Sequence, residues 1–281
     1  AMRAIETCRT AAQGGHVDEC DHCGTKVVSY NSCRNRHCPK CQFLKKEQWI
    51  EAREKDLLPI PYFHVVFTIP DALNPLVLRN QEALYGILFK SVSETLTELA
   101  ANPKHLGATI GFISILHTWG QNLMDHPHIH CIVTGGGLAA DRHSWRACKN
   151  SFFMPVKVMS RLFRGKFLDH LKKSREANEL VYPGAVSHLA QPAAFNALIT
   201  DLYDKDWVVY CKPPFDGTKG VLEYLGRYTH RIAISNHRIA RMEDDKVSFR
   251  WRDYADNNKS KVMTVDVNEF IRRFLLHVLP D

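Results

Sequence analysis

The chain has 281 residues, of which 45% are hydrophobic and 24% are charged, so it is long enough to bury a core and is not disordered throughout. Its formal net charge of +7 favours a polyanionic partner. No apolar run approaches the roughly 18 residues that cross a bilayer, and the N-terminus lacks a signal-peptide pattern, so we expect a cytoplasmic, nucleoid-associated protein without membrane contact.

Cysteines are concentrated at the N-terminus, where the first 41 residues hold six of the nine. In a chain without a secretion signal, such crowding predicts a metal site rather than disulfides. Two C-x-x-C pairs at zinc-ribbon spacing supply four thiolates for one Zn²⁺: Cys20, Cys23, Cys38 and Cys41. Two further cysteines and two histidines form a plausible set for a second Zn²⁺, or have no metal role: Cys8, His16, Cys33 and His37.

Basic residues lie beside this cysteine segment. Arg34, Arg36 and Lys40 would suit contact with a phosphate backbone, although a solvated charged surface is an equally good interpretation of this segment alone. We therefore predict a zinc-binding module over residues 1–45, followed by a linker helix over 46–60 and one larger domain over 61–281.

The larger domain shows strand and helix patterns in alternation. In chain order they predict a strand at 62–69, a helix at 74–101, strands at 110–117 and 128–134, a glycine turn at 135–137 with a return strand, helices at 157–176 and 192–204, a strand at 207–212, a helix at 219–230, strands at 246–252 and 261–266, and a helix at 267–278. The connection between the strands at 110–117 and 128–134 is too short for a parallel crossover. We therefore expect an α+β domain with an antiparallel or mixed sheet.

An H-x-H pair, His128 and His130, lies in one of these strands. Side chains alternate along a strand, so both imidazoles project from one face while Ile129 and Cys131 point to the apolar side. Two imidazoles at this spacing can chelate one divalent ion. His126 shares the same face, so a shift to His126 and His128 is an alternative, which the proline between those two disfavours.

Two tyrosines, Tyr224 and Tyr228, lie four residues apart in a predicted helix, which places both hydroxyls on one helix face. Such pairs are usually packing neighbours. Here, however, they occur together with the H-x-H strand, the cysteine pairs and several basic residues that we expect to contact DNA: Lys212, Arg227 and Arg231.

Three segments together resemble the HUH-type rolling-circle transposases of bacterial insertion sequences, in the two-tyrosine, insertion sequence 91-like class with an N-terminal zinc-binding domain. They are CRNRHCPKCQ (33–42), HPHIHCIV (126–133) and YLGRYTHR (224–231). The resemblance extends over nearly the whole chain and implies an HUH endonuclease fold. In that fold a central antiparallel sheet, flanked by helices, carries the metal histidines, and a neighbouring helix brings up the tyrosine. Members of the family usually continue beyond the point where this chain stops.

The resemblance further implies a transposase that nicks and rejoins single-stranded DNA at insertion-sequence ends through a 5′-phosphotyrosine. Mg²⁺ or Mn²⁺ at His128 and His130 would polarise the scissile phosphate, and Tyr224 or Tyr228 would attack it. Hard cations also prefer oxygen ligands. Gln121 is the expected third ligand for this reason.

Asp125 and His117 are alternatives to Gln121 as the third ligand. Two other functions are also open. A replication initiator or relaxase shares the H-x-H strand and the tyrosine, but the N-terminal zinc segment favours a transposase. A non-catalytic, zinc-dependent DNA-binding regulator would use the histidines and tyrosines only for packing.

Overall fold

The computed structural model describes residues 1–35, 37–38, 40–149, 153–215, 220–222, 224, 233–253 and 256–278. The chain forms two compact units, which we treat separately. The sheet unit comprises Leu58–Thr118 and Asp125–Val221, and the terminal unit comprises Ala1–Leu57, Trp119–Met124 and Leu222–Asp281. This division differs from the consecutive domains predicted from sequence, because residues 119–124 and the C-terminal strands and helix pack into one core.

Helices and strands are interspersed along the chain. No helix of the described residues is both long and apolar enough to cross a membrane. The helices are α1 (Met2–Thr7), α2 (Gln42–Glu54), α3 (Asn74–Val77), α4 (Gln81–Ala101), α5 (Val156–Glu176), α6 (Pro192–Asp204) and α7 (Val267–Leu276). The strands are β1 (Gly15–Glu19), β2 (Lys26–Tyr30), β3 (Tyr62–Thr68), β4 (Ala108–Trp119), β5 (Asp125–Ala139), β6 (Trp145–Ala147), β7 (Val209–Cys211), β8 (Ile239–Glu243), β9 (Lys246–Asp253) and β10 (Lys259–Asp266).

The sheet unit is built on a sheet in the order β4-β5-β3-β7, with β6 added beside β5. β3 pairs antiparallel with both β5 and β7. The Gly111 N–H donates to Thr134 Oγ1, and Ser114 Oγ lies 3.3 Å from Cys131 Sγ, so β4 also runs antiparallel to β5. β5 is therefore an inner strand. The predicted α+β class with a central antiparallel sheet is confirmed.

One face of this sheet packs against α5. The ring of Phe67 meets the ring of Phe163 edge-on, with centroids 5.1 Å apart. Phe67 pairs in register with Ile129, so Ile129 belongs to the same apolar face. Because side chains alternate along β5, His128 and His130 project from the opposite face. Burying each large apolar side chain contributes about 1.5–3 kcal/mol, and this packing fixes which face the histidines occupy.

The three glycines at 135–137 lie inside β5, so the turn predicted from sequence at this point is wrong. A Cβ atom on Gly137 would stand 2.4 Å from the carbonyl oxygen of Thr109, and one on Gly135 would stand 2.7 Å from that of Pro61. Glycine is needed here because the neighbouring backbones approach too closely for a side chain. The chain reverses later and returns through β6.

The terminal unit contains the β1–β2 hairpin and a three-stranded antiparallel sheet in the order β10-β9-β8. The sheet packs against α7, with the rings of Phe249 and Phe270 5.8 Å apart. Leu123, Ala233 and Ile234 join Phe249 in the buried core. Residues from the 119–124 segment and from the C-terminal part of the chain thus share one core.

The connection between β4 and β5 contains neither helix nor strand, so its carbonyls need other partners. Three nitrogen-bearing side chains donate to three consecutive carbonyls: Arg238 to Gln121, Arg273 to Asn122 and His277 to Leu123. Burial lowers the pKa of His277 to about 4, so this residue donates as a neutral imidazole. These bonds hold the connection within the terminal unit.

We predict that Gly137→Ala lowers the free energy of unfolding by about 1–3 kcal/mol, because the added methyl group overlaps the Thr109 carbonyl. Gly86→Ala is the matched control. No atom lies within 4 Å of a Cβ built at Gly86 on α4, and alanine should stabilise the helix by roughly 0.5–1 kcal/mol. Thermal unfolding followed by circular dichroism measures both. A Gly137→Ala protein with a wild-type midpoint would contradict the close approach.

Candidate metal centres

Four cysteine sulfurs of the terminal unit lie within 4.8 Å of one another, those of Cys8, Cys33, Cys38 and Cys41. Three of these side chains are buried and Cys33 is partly buried. The Sγ atoms of Cys33 and Cys41 are 3.8 Å apart. Two sulfurs that bind one tetrahedral Zn²⁺ through bonds of about 2.3 Å are themselves ~3.8 Å apart, which is the separation seen here. The quartet therefore fits one structural Zn²⁺.

The protonation chemistry of the quartet also suits a cation. Burial, followed by the Cys38 and Cys33 thiols, raises the pKa of Cys41 to about 12. Burial likewise raises the pKa of Cys33. Burial also opposes ionisation of Cys38, but hydrogen bonds from backbone groups at Cys41 and Lys40 lower its pKa. A bound metal ion would displace the thiol protons and convert the quartet to a tetrathiolate.

The β1–β2 hairpin explains why these cysteines meet. Cys8 precedes the hairpin and Cys33 follows it. Beyond the last strand pair, the Arg9 N–H donates to the carbonyl of Asn31 at 3.1 Å, which brings the two ends of the hairpin together. The backbone N–H of Cys33 then donates to Cys8 Sγ at 3.4 Å. The two ends of the hairpin thus place the sulfurs of Cys8 and Cys33 beside those of the following C-x-x-C pair, Cys38 and Cys41.

This grouping differs from the sequence prediction, which placed Cys20 and Cys23 with Cys38 and Cys41. The first C-x-x-C pair lies at the far end of the hairpin, and both of its thiols are exposed. Cys23 Sγ lies 3.1 Å from Thr25 Oγ1. Spacing alone identified the two pairs as chelating motifs, but hairpin closure decides which sulfurs converge.

The second predicted set, Cys8, His16, Cys33 and His37, is not assembled either, since its two cysteines belong to the quartet. His16 is exposed on β1, with Nε2 3.4 Å from a carboxylate oxygen of Asp18. The ring of His37 packs edge-on against Phe274 of α7, with centroids 6.5 Å apart. Among the described residues of the terminal unit, the cysteine quartet is the group whose donor atoms converge.

A second cluster lies in the sheet unit, where ring nitrogens of three histidines come within 4.8 Å of one another. His117 lies on β4, and His128 and His130 lie on β5. The ring centroid of His117 is 5.4 Å from that of His128 and 4.5 Å from that of His130. These side chains are only 3%, 9% and 7% exposed. Three imidazoles that converge in a buried place form a donor set for one divalent ion.

The hydrogen bond of His128 determines which of its ring nitrogens can bind a metal ion. Its Nδ1 lies 2.5 Å from the carbonyl oxygen of His126. A carbonyl only accepts hydrogen bonds, so the proton of the imidazole sits on Nδ1. Nε2 then carries the lone pair that a metal ion needs, which is the usual arrangement for a metal-binding histidine.

His130 is contacted by a further histidine, His64 of β3, that the sequence analysis did not single out. His64 Nε2 lies 2.9 Å from His130 Nδ1, and the two rings stack with centroids 5.2 Å apart. Burial, with Lys212 and His117 nearby, lowers the pKa of His64 to about 3, so this imidazole is neutral. Because Nδ1 of His130 is engaged by His64, Nε2 is the atom through which His130 can ligate.

The third ligand predicted from sequence was Gln121, with Asp125 and His117 as alternatives. Gln121 lies in the terminal unit, where its carbonyl accepts from Arg238. Asp125 begins β5 and is partly exposed. The histidine trio instead supplies a third nitrogen from His117. Three imidazoles favour a transition-metal ion such as Mn²⁺ over Mg²⁺, which prefers oxygen.

The other predicted site residues are distributed over both units. Tyr224 is helical and partly exposed. Three basic residues are exposed, namely Arg34, Lys40 and Lys212, and Lys40 Nζ also donates to the Cys8 carbonyl at 3.4 Å. The remaining predicted residues lie outside the described part of the chain: Tyr228, Arg36, Arg227 and Arg231.

We predict that the purified protein contains about one zinc ion per chain, because a quartet of cysteines holds one tetrahedral Zn²⁺. Cys33→Ser should lose this zinc. Cys20→Ser, which removes an exposed thiol outside the quartet, should retain it. Elemental analysis after gel filtration distinguishes the two. Zinc retained by Cys33→Ser, or equal losses in both variants, would contradict the quartet.

Comparisons with known proteins identify the family of the chain. Residues 111–281 match the family described as "Putative transposase", and residues 1–69 match the "Transposase zinc-binding domain". The "Putative transposase y4qJ" of Sinorhizobium fredii (strain NBRC 101917 / NGR234) is 54% identical over 280 residues, which cover 100% of this chain and 70% of that protein. The transposase for insertion sequence element IS801 of Pseudomonas savastanoi pv. phaseolicola is 30% identical over 235 residues, which cover 83% of this chain and 55% of that protein.

Among solved structures, the conjugative relaxase TrwC in complex with oriT DNA (metal-free structure) matches with a TM-score of 0.33 and 16% identity, over 39% of this chain and 42% of the relaxase chain. TrwC complexed with a 27-mer DNA matches with a TM-score of 0.32 and 18% identity, over 39% of this chain and 44% of the TrwC chain. Likenesses of this size support no argument about the reaction. The family match over residues 111–281 and the 54% identical relative do identify the chain: it belongs to the two-tyrosine transposases of insertion sequence 91-like elements and carries their N-terminal zinc-binding domain.

Proposed function

We propose that this transposase nicks and rejoins single-stranded DNA at insertion-sequence ends through a 5′-phosphotyrosine, as rolling-circle transposition requires. The observation that carries the proposal is the buried trio of His117, His128 and His130 in a chain of a transposase family. The region that matches the family also contains Tyr224 and Tyr228. Together these supply a cation site and a nucleophile for phosphodiester chemistry.

The trio would hold one divalent ion through neutral imidazoles, with Mn²⁺ as the best fit among the expected ions. When bound, the ion neutralises charge on the scissile phosphate and orients it for in-line attack. The strands contribute rigidity, since His117 on β4 and the pair on β5 are fixed by the ladder between neighbouring strands. Three protein ligands also leave coordination positions for substrate oxygens.

The tyrosine performs the covalent step. The hydroxyl of Tyr224 or Tyr228 loses its proton, its oxygen bonds to phosphorus, and the bond from phosphorus to the 3′ oxygen breaks. The departing 3′ oxygen takes up a proton, so one phosphodiester replaces another and no water is consumed. The reaction can therefore reverse onto a new strand without ATP. A phenol with a pKa of about 10 needs the developing phenolate to be stabilised nearby.

Basic residues would hold the DNA backbone. Arg34 and Lys40 lie beside the cysteine quartet, and Lys212 lies just after β7; all three are exposed. Arg36, Arg227 and Arg231 are further candidates from the sequence. Contacts of this kind release counterions, so binding should weaken steeply as salt rises. The zinc quartet would fix the local fold that presents the first group.

The proposal is tested with a library of 5′- and 3′-labelled single-stranded oligonucleotides, incubated with the protein and Mn²⁺ and run on denaturing gels. We expect a protein–DNA adduct that survives denaturation and carries the downstream fragment, and a free upstream fragment that ends in a 3′-OH. DNA binding without any adduct, at every oligonucleotide and metal tried, would favour a non-catalytic DNA-binding regulator instead.

We expect one tyrosine to cleave the first strand and the other to act in strand transfer, because a tyrosine already bound to one strand end cannot accept another. Each single variant, Tyr224→Phe or Tyr228→Phe, should retain some cleavage but lose most strand transfer, and the double variant should form no adduct. Phenylalanine keeps the ring and removes only the hydroxyl. An adduct in the double variant would place the nucleophile elsewhere. If one single variant behaves like wild type and the other forms no adduct, the enzyme uses one tyrosine.

The third ligand is decided by comparing His117→Ala with Gln121→Ala. Loss of one imidazole from a three-nitrogen site should reduce adduct formation by at least ~100-fold at limiting Mn²⁺. Gln121→Ala should stay within a few-fold of wild type. Circular dichroism verifies that both variants fold. The reverse ranking would return the third position to Gln121.

A further inference from the structure

The histidine trio has a fourth imidazole beside it that takes no part in the steps above. His64 lies on β3, which is paired with β5 such that His64 faces Ile132 and Val66 faces His130. His64 therefore reaches its partner diagonally across the strand pair, on the same face of the sheet. Its side chain is only 4% exposed, so water competes little for the contact with His130.

The geometry of this contact is that of one hydrogen bond between parallel rings. His64 Nε2 and His130 Nδ1 are 2.9 Å apart, and the ring planes differ by 10°. One of the two nitrogens must donate. If His64 donates, the proton of neutral His130 sits on Nε2 and that atom cannot bind a metal. If His130 donates from Nδ1, Nε2 presents its lone pair. Only the second arrangement is compatible with a metal at the trio.

His64 is itself fixed from a second direction. The backbone N–H of Lys212 donates to the carbonyl of His64 at 2.9 Å, which ties this position of β3 to the segment after β7. The ring of Phe215 lies 6.3 Å from the His64 ring. The acceptor nitrogen is thus held by the sheet on one side and by an aromatic ring on another.

We propose that His64 is a positioning residue for the metal centre: by accepting a hydrogen bond from the His130 Nδ1–H, it selects the tautomer and ring orientation through which His130 Nε2 binds the ion. His128 achieves the same selection with a backbone carbonyl, that of His126. An imidazole acceptor, unlike a carboxylate, adds no negative charge beside the ion. The charge of the ion therefore remains directed to the phosphate of the substrate.

This inference rests on the proposed metal centre but not on the tyrosine chemistry, so the test measures Mn²⁺ binding to the full chain without DNA. His64→Gln and His64→Asn form a matched pair. The glutamine carbonyl reaches the position of His64 Nε2 and can accept from His130, whereas the asparagine carbonyl is one methylene shorter. Both variants carry the same amide, so polarity is held constant.

We expect His64→Asn to weaken Mn²⁺ binding about 10–100-fold, the usual effect of losing a partner of a ligating histidine, and His64→Gln to stay within a few-fold of wild type. The ligand-field absorption of bound Co²⁺ should shift in the Asn variant and be restored in the Gln variant. Thermal unfolding provides the folding control.

If both variants bind Mn²⁺ like wild type, or lose it equally while folded, His64 does not position His130 and the metal centre itself stands. If wild type binds no Mn²⁺ and His128→Ala changes nothing, the metal centre and the role of His64 both fail.

Discussion

The alternation of side chains along β5 governs both the core of the sheet unit and the placement of the histidine trio. Ile129 faces the helices with Phe67, and the same pleat turns His128 and His130 to the other face. A slip of one residue would place two imidazoles against phenylalanine rings and move Ile129 and Cys131 away from the helices, so the packed core enforces the register. Gly135 and Gly137 add to this constraint, because only this register gives close backbones a residue without a Cβ. Hydrophobic burial therefore positions the ligands.

Sequence patterns predicted most of the long elements, since α5, α6 and β9 bury regularly spaced apolar positions and β10 partly buries Met263 and Val265 at alternate positions. They missed β8, which is largely exposed and carries no alternation. The site was predictable only where its residues are neighbours in sequence, as with His128 and His130. His117 and His64 join them through the order and register of separate strands. Likewise, two C-x-x-C motifs were recognisable, but the partners of Cys38 depended on the closure of a hairpin.

The two centres differ in a way that matches different tasks. The quartet offers four sulfurs, which fill the coordination sphere of a tetrahedral ion and leave no position for a substrate. The trio offers three nitrogens and so leaves positions open. Thiolates favour zinc over harder ions, whereas imidazoles accept a range of transition metals.

The β1–β2 hairpin lies entirely between two ligands of the quartet, Cys8 and Cys33. A bound ion closes the loop at its base, so the tip contributes nothing to the coordination geometry. Under such closure, doubling the length of the loop costs only about 0.6 kcal/mol of chain entropy. The length and sequence of the hairpin can therefore change during evolution while its base stays the same. For the same reason, a peptide could be inserted at the tip by design.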